Sequence, residues 1–457
     1  MLLVLKIILK KIRHSGCTRR MKMVAALLMF FSLSSFSQKL MTVDDAVALA
    51  LKNNYDILLL RSDSTLYALD NSYAYAAFLP RLNASTALLF NNNNQKQQLA
   101  DGSSKGSSGL KSDNLQASIN LNWTLFDGFR LFATRDKLAA YVQLGNLAIK
   151  NQMTETVATV ITTYYNIVRQ KQQIKAIEEL MKLNEDRVTL ADKKFSTGLG
   201  AKPELLQAKV DLNAKKSARL NELALTEELK EQLNQLMAIA PGTNYEVADS
   251  IPFNDNIVIG DILGNIETTN PSLLLAKKNI DIATFTLRER RADLLPVVTF
   301  NSAYNFNKTN NTTVINTFTP LFNRNYGYNY GVGVNIPIFN GFNARRLAQE
   351  AAINIGRQQI GYQNQKNILD VGIRNSFRQY EVQKKALVLE EENILLAKEN
   401  VFIATERFKQ GVSTYLELRD TQQSLSDAYN RLIAARYNTK VAEVELMRWK
   451  GDIIKNN

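Results

Sequence analysis

The chain contains one cysteine and one histidine in 457 residues, and both lie near its start. His14 and Cys17 precede residues 21–38, which have the pattern of a secretory signal. This segment has an apolar run over 24–33 and a small-x-small motif that ends at Ser37. Cleavage after Ser37 would remove both residues. The remaining chain would then lack the groups for disulfides, Cys/His zinc sites and Cys-His or Ser-His-Asp catalysis. We therefore expect no metal and no cofactor.

The net charge carries little information once the signal region, residues 1–37, is set aside. That region contains seven basic and no acidic residues, so its removal lowers the formal charge from +13 to +6. A start at Met21 or a long basic leader accounts equally well for residues 1–20. The remaining charge gives no reason to expect a nucleic acid partner.

Apart from the signal, the sequence has no apolar run near the roughly 18 residues of a membrane helix. An exported chain of this kind is periplasmic, secreted or held in the outer membrane by strands. The pattern of its strands therefore decides between these locations.

The sequence repeats itself over most of its length. Leu-Phe-Asp-Gly-Phe-Arg around Phe126 returns as Ile-Phe-Asn-Gly-Phe-Asn around Phe339, and a Phe-x-x-Gly turn at Phe195 returns at Phe408, in both cases 213 residues later. At an offset of 216 residues, Asn54 matches Asn270 and the Leu-Pro pairs at Pro80 and Pro296 match. A period near 215 is too long for a solenoid unit. It indicates two structural repeats, residues 38–258 and 259–457.

Four segments alternate apolar and polar residues, as strands with one wet face do. They are about 81–91, 115–126, 297–307 and 326–339. Each is about ten residues long, the length that spans a bilayer when tilted. Asn, Gly, Ser and Thr on one face favour a water-filled interior over an amphipathic hairpin on a soluble core. The polar segments between them, 91–114 and 307–324, are predicted to be loops without fixed structure.

Helical periodicity covers most of the remaining chain. Predicted helices cover about 43–78, 130–194 and 203–238 in the first repeat, and 262–294, 343–409 and 414–449 in the second. A helix of 65 residues is about 100 Å long, and two short helices end to end match it. A solvated coiled-coil rod would explain these helices but not the strands.

A single chain offers only four strands, which cannot close in lipid. Two chains would give eight strands and a filled interior. A water path therefore favours three or more chains.

The repeat order and its four paired motifs resemble the TolC family of outer-membrane efflux proteins, over nearly the whole mature chain. The resemblance implies a mixed α and β membrane protein: a homotrimer with a 12-stranded outer-membrane β-barrel continuous with a long α-helical coiled-coil periplasmic tunnel. It implies an equatorial insertion at about 239–258. It also implies a passive exit duct of a tripartite efflux pump, whose partners are a periplasmic adaptor, an inner-membrane transporter and outer-membrane lipid.

The same resemblance assigns roles to the turns. The helix-tip turns would close the periplasmic end and dock the adaptor, and they contain Phe195, Gly198, Phe408 and Gly411. The hairpin-to-helix turns contain Phe126, Gly128, Phe339 and Gly341, and the helix-to-strand turns contain Pro80 and Pro296. From the residues alone, the tip glycines are expected to cap helices in the left-handed conformation, with Phe195 and Phe408 packed beneath them.

An acidic ring is expected at the periplasmic gate. Glu417 and Asp420 are three residues apart and share a helix face, and the resemblance places three copies of each around the tunnel axis, with Glu204 in a closing contact. Val412-Ser413-Thr414 stands where the family has a basic residue that helps to close the tip, and Phe408 stands where a hydrogen-bonding Tyr can occur. The plain alternative is a solvated acidic pair on a helix hairpin.

Three other functions fit parts of the sequence. An outer-membrane channel for type I protein secretion has the same architecture. A periplasmic coiled-coil scaffold would have no pore. A hydrolase using Glu417 and Asp420 would need an apolar pocket and an oriented partner, and the sequence indicates neither, so we expect no enzymatic activity.

Overall fold

The protein is described by a computed structural model that covers residues 40–254, 257–451 and 453. The predicted signal region, residues 1–37, lies outside the described residues. None of the helices in the described part combines the length and hydropathy needed to cross a membrane.

Both halves of the chain contain short helices, two strands, one long helix and one shorter helix, in that order. The first contains α1 (Val43–Asn53), α2 (Tyr55–Ser72), a 3₁₀ turn (Ala74–Phe78), β1 (Arg81–Gln98), β2 (Ser104–Phe126), α3 (Arg130–Ser196) and α4 (Lys202–Met237). The second contains α5 (Ile259–Leu263), α6 (Ile266–Thr269), α7 (Pro271–Ala292), β3 (Val297–Asn311), β4 (Phe322–Asn335), α8 (Asn343–Lys409) and α9 (Tyr415–Lys450). The long helices α3 and α8 each have 67 residues, which is about 100 Å.

The continuous helix predicted over 43–78 is wrong, because the helix is interrupted at Asn54. The side-chain oxygen of Asn54 accepts from the backbone of Asp56 and Ile57, at 3.0 and 3.4 Å, and starts α2 as an N-cap. Its amide donates to the carbonyl of Leu236 at 2.9 Å. The break therefore ties the start of α2 to the end of α4.

Asn270 forms the same break in the second repeat. Its side chain accepts from Leu273 N at 3.1 Å and donates to the carbonyl of Trp449 at 2.8 Å. Pro271 is the first residue of α7, a position that tolerates its missing backbone N–H. Leu236 and Trp449 are themselves 213 residues apart, and the two ties are therefore repeats of each other.

The strands form one antiparallel sheet in the order β1-β2-β3-β4. One row across the sheet pairs Ala84, Ile119, Tyr304 and Tyr328, and the adjacent row pairs Ser85, Ser118, Asn305 and Gly327. Rows alternate between the two faces, so one face is apolar and aromatic and the other is polar. The predicted alternation is confirmed across the sheet.

The first hairpin is longer than its composition predicted. β1 and β2 continue through most of the segment 91–114 that was predicted to be a loop, with a register shift between Asn93 and Gln95. Ladder hydrogen bonds use the backbone alone, so polar side chains do not end the pairing. β4 ends at Asn335, four residues before its predicted end at 339.

The helices pack through apolar residues at heptad spacing and through a hydrophobic cluster at the middle of their length. In α8 the buried residues recur every seven positions, at Tyr380, Leu387, Ile394, Val401 and Phe408, the spacing of a left-handed coiled coil. They pack within the α8–α9 hairpin and, in part, against α3. The two helical hairpins therefore lie side by side along their length.

The insertion after α4 packs against the middle of the helices. Tyr245, Val247 and Ile251 are buried in a cluster with residues of α1, α3 and α4. The hydroxyl of Tyr164 donates to the carbonyl of Met41 at 2.8 Å and accepts from Ala248 N at 3.0 Å. Residues 239–254 are therefore packed against the middle of the helices.

Candidate functional site: the helix tips and the unpaired faces

The two helix-tip turns have the same backbone geometry. Gly198 and Gly411 both have φ of +78°, the left-handed region that glycine adopts without a Cβ penalty. The turns close with hydrogen bonds from Leu199 N to Lys194 O and from Val412 N to Arg407 O, at 2.8 and 2.9 Å. This is the capping geometry expected from the sequence. The role of these turns in adaptor docking stays a prediction.

The two tip phenylalanines are not equivalent. Phe408 is 3% exposed and packs with Leu205, Tyr415 and Leu418, as expected. Phe195 is 41% exposed, so its predicted packing beneath the turn is wrong. The Lys194 ammonium covers the Phe408 ring, at 3.7 Å from its centroid, and donates to the Phe408 carbonyl. The α3 tip meets the α8 tip through this lysine.

The acidic residues lie at the starts of α4 and α9. Glu417 Oε1 is 3.5 Å from Arg407 Nη1 across the α8–α9 turn. Asp420 is exposed on the next turn of α9, and Glu204 lies half-buried in the first turn of α4. Within the described residues, no ion pair or hydrogen bond joins Glu204 to the other two. Their assembly into a ring stays a prediction, and Arg407 is a partner that the sequence did not reveal.

A partly buried charge cluster centred on Asp211 joins the two helical hairpins near the tip. Asp211 Oδ2 lies 2.6 Å from Arg187 Nη2 of α3 and 3.3 Å from Arg419 Nε of α9. The Tyr415 hydroxyl donates to the same oxygen at 3.4 Å, and Gln207 donates to Oδ1 at 2.9 Å. Burial raises the pKa of Tyr415, which keeps this hydroxyl a donor.

The Asp211 cluster is a polar contact between the hairpins that lies close to the tip turns. The Arg187 side chain is 2% exposed and also contacts the Tyr415 ring, at 5.2 Å from its centroid. Because a buried unpaired charge is costly, loss of Asp211 would leave the buried Arg187 without its counter-charge. Arg187 lies on the helix face that also buries Leu180 and Ala191, and a charged residue in that position is the sequence signal that could have indicated the cluster.

The hairpin-to-helix turns at the other end of the long helices also repeat each other. Gly128 and Phe129 have φ of +70° and +66°, and Gly341 and Phe342 have φ of +64° and +62°. In each turn the two phenylalanines meet edge to face, with Phe126 and Phe339 as the first of each pair and 5.2 Å between centroids. Pro80 and Pro296 directly precede β1 and β3.

These two equivalent turns differ in what surrounds them. A Cβ on Gly128 would lie 2.7 Å from the Ala292 carbonyl oxygen and 2.8 Å from the Leu295 Cβ, whereas a Cβ on Gly341 would meet nothing within 4 Å. Gly128 therefore fits against the α7–β3 turn of the second repeat. Within the described chain, the matching space at Gly341 is open.

The long helices show the same asymmetry. Ala140 and Ala176 of α3 are 5% and 4% exposed, whereas their repeat equivalents in α8, Ile353 and Leu389, are 73% and 61% exposed. α3 packs against α7 and α9 of the other repeat, whereas the main helix neighbours of α8 are α7 and α9 of its own repeat. One face of α8 is thus apolar and uncovered. We call this face the α8 seam.

Comparison with known proteins places these features in a family. The profile described as outer membrane efflux protein matches residues 46–242 and 262–452. Outer membrane efflux protein BepC of Brucella suis biovar 1 (strain 1330) is 22% identical over 421 residues, which cover 90% of this chain and 85% of that protein. Alkaline protease secretion protein AprF of Pseudomonas aeruginosa is 20% identical and covers 89% of this chain and 85% of its own length. The crystal structure of the CmeC outer membrane channel of Campylobacter jejuni has the same fold, with a TM-score of 0.76 at 17% identity over 90% of this chain and 85% of that one.

Proposed function

Because the chain belongs to the outer membrane efflux protein family, we propose that it is the passive exit duct of a tripartite efflux pump. Its location is the outer membrane, and its role is transport through a channel. Small molecules would pass from an inner-membrane transporter and a periplasmic adaptor, through the helical part, to the outside. The observation that carries this proposal is a sheet with one apolar and one polar face that continues into helical hairpins about 100 Å long.

The duct is a homotrimer in this proposal. β1 and β4 are the two edges of the sheet, and an open edge leaves unpaired backbone groups that lipid cannot satisfy. Pairing β4 of one chain with β1 of the next removes both edges. Three chains give a closed 12-stranded barrel wide enough for water, whereas eight strands leave an interior filled by side chains.

The open space at Gly341 supports this head-to-tail arrangement. Gly128 packs against Ala292 and Leu295, whose equivalents at an offset of 216 are Ala76 and Leu79. In a ring of chains, Ala76 and Leu79 of the neighbouring copy would occupy the space beside Gly341. By the same operation, α2 and α4 of the neighbour would cover the α8 seam.

The gate is proposed at the helix tips. Glu417, Asp420 and Glu204 would face the axis of the trimer and form rings of acidic side chains that select for cations. The Asp211 cluster would hold the two hairpins of each chain together around that constriction. The periplasmic adaptor would bind the tip turns that contain Gly198 and Gly411.

Type I protein secretion is the second candidate system. It is favoured by the similarity to a relative named as an alkaline protease secretion protein. Both systems use the same duct, and in neither does the chain act as an enzyme.

Electron microscopy of the protein in mild detergent, combined with conductance in planar bilayers, tests the duct. We expect a threefold particle with a tube about 100 Å long below a detergent belt, and stepwise conductance. A monomer, a solid rod or a protein that needs no detergent would favour the periplasmic scaffold instead. Co-purification with an inner-membrane transporter then separates efflux from secretion by the transporter's class.

A further inference from the structure

Two basic residues face each other at the end of the apolar face of the sheet. Lys308 of β3 and Arg324 of β4 are direct cross-strand partners. Their row also contains Leu88 and Leu115, and the next row on the same face, two residues towards the helices, contains Phe306 and Tyr326. Because residues two apart on a strand share a face, both cations lie on the apolar face and not on the polar face.

This arrangement is unfavourable unless an anion lies between the two cations, because like charges directly opposite each other destabilise a sheet. Within the described residues, no carboxylate forms an ion pair with either side chain. The nearest acid on this face by register is Asp113, one row further towards the loops. β1, which would lie beside β4 in the proposed ring, contains no acidic residue at all. Asp113 is diagonal to Lys308, but no acidic residue lies directly beside Arg324 in the sheet. An anion from outside the protein would therefore complete the pair.

The position of the pair along the strand matches a membrane boundary. Ten residues separate Val298, at the helix end of β3, from Lys308, which is about 34 Å along the strand. At a tilt of about 40° this corresponds to a height of roughly 25 Å, the thickness of the apolar band of an outer-membrane sheet. The pair thus lies where acyl chains end and head groups begin, on the side away from the helices.

Aromatic residues flank the pair, as they do at lipid interfaces. The Lys308 ammonium lies 5.9 Å from the centroid of the Phe322 ring, and the exposed rings of Tyr326 and Phe322 lie on either side of Arg324 along β4. Arginine binds phosphate through two parallel N–H bonds, and lysine adds a point charge.

We propose that Lys308 and Arg324 bind the phosphate groups of a phosphorylated, multiply acylated lipid of the outer leaflet. The phosphate would lie between the guanidinium and the ammonium, and the acyl chains would cover Tyr326, Phe306 and the rows below. A lipid is favoured over a free anion because the cations continue directly into an apolar surface that must be covered. This inference rests on the proposed membrane-spanning role of the sheet.

Native mass spectrometry of the full-length protein with added lipid A tests this assignment. The variant Arg324→Gln with Lys308→Gln should retain about tenfold less bisphosphorylated lipid A than the unchanged protein, because two charge-assisted contacts are lost. Arg81→Gln is the matched control, since Arg81 pairs with Asn122 on the polar face. It should retain lipid A normally. Dephosphorylated lipid A should bind the unchanged protein and the double variant alike.

Each other outcome overturns the assignment. Equal retention of lipid A by the double variant and the Arg81 control would show that the pair is not a lipid site. Displacement of lipid A by millimolar inorganic phosphate would identify a free-anion site. Conductance in planar bilayers, measured on the same samples, separates this failure from a failure of the channel itself, because the double variant should conduct normally.

Discussion

Asp211 of α4 and Arg187 of α3 form an ion pair of 2.6 Å in which the arginine side chain is almost fully buried. Arg419 of α9 approaches the same carboxylate at 3.3 Å. The two helices of the first hairpin and one helix of the second therefore meet at a single carboxylate near the tip.

Replacing Asp211 by Asn should loosen the tip without unfolding the protein. Loss of one partner leaves Arg187 buried and unpaired, at a cost of about 3 kcal/mol, which corresponds to roughly a hundredfold faster hydrogen exchange in the last turns of α3 and first turns of α9. Asp420→Asn is the control, because Asp420 is exposed. Its effect should stay within about 0.5 kcal/mol. Equal exchange in both variants would mean that the cluster does not hold the hairpins.

Cation block separates the roles of the two acidic residues on α9. Glu417→Ala together with Asp420→Ala should weaken block by hexaamminecobalt added from the periplasmic side, by about tenfold in half-blocking concentration, since up to six charges leave the proposed ring. Because Arg407 already pairs with Glu417, Asp420→Ala alone should account for most of the change.

Glu406→Gln is the matched control for this block experiment. Glu406 lies near the same tip, but on α8, and pairs with Lys409. Unchanged block in the double variant would refute the acidic ring, and an equal effect of Glu406→Gln would make the block a general property of the tip.

Alanine at the two equivalent glycines should act at different stages. Gly128→Ala places a Cβ 2.7 Å from the Ala292 carbonyl oxygen, so we expect it to reduce the yield of folded chain. Gly341→Ala adds only the left-handed strain of about 1–2 kcal/mol within one chain, but it should lower the trimer fraction. Cross-linking and gel filtration of both variants measure this. If Gly341→Ala assembles normally, the neighbouring turn does not lie beside Gly341.

Cysteine pairs test the register between chains. Ile119 pairs with Tyr304 in the β2–β3 ladder. Val332 is the repeat equivalent of Ile119, and Leu88 is the repeat equivalent of Tyr304. In the proposed ring, Val332 of one chain would therefore lie opposite Leu88 of the neighbour. Val332→Cys with Leu88→Cys should therefore form an inter-chain disulfide on oxidation, because directly opposite Cβ atoms are about 5 Å apart. Within one chain these strands are the two edges of the sheet and are not neighbours.

The control for this cross-link is Phe300→Cys with Val332→Cys, a pair that already lies opposite within one chain. It should leave the chain at monomer size on a denaturing gel. The only other cysteine, Cys17, belongs to the predicted signal region. Monomers from the Leu88 pair, alongside an oxidised control, would contradict the proposed register.

The sequence was sufficient to predict the order of helices and strands and the two faces of the sheet, because both depend on local spacing. It was insufficient for the length of the first hairpin. Asn91 to Gln98 and Ser104 to Asn114 have the composition of a loop, yet they pair through their backbones. Composition reports side-chain burial, and these residues bury little.

The Asp211 cluster shows why the site was harder to predict than the fold. Arg187, Asp211 and Arg419 lie on three helices, and their meeting depends on how the hairpins are rotated against each other. Helix periodicity gives the face of each residue but not that rotation. The break at Asn54 was missed for a similar reason, since its partner, the Leu236 carbonyl, is 182 residues away.

In a closed ring, each hairpin-to-helix turn would pack against a helix-to-strand turn. The contact of Gly128 with Ala292 and Leu295 means that half of these turn–turn joints lie within one covalently connected chain. Dilution cannot separate these joints. In a ring of identical chains, the contacts at Gly341, along the α8 seam and between β4 and β1 would all lie between chains and would depend on protein concentration. In the proposed ring, one kind of interface between chains would therefore govern assembly, and a partner that stabilises that interface would control the whole ring.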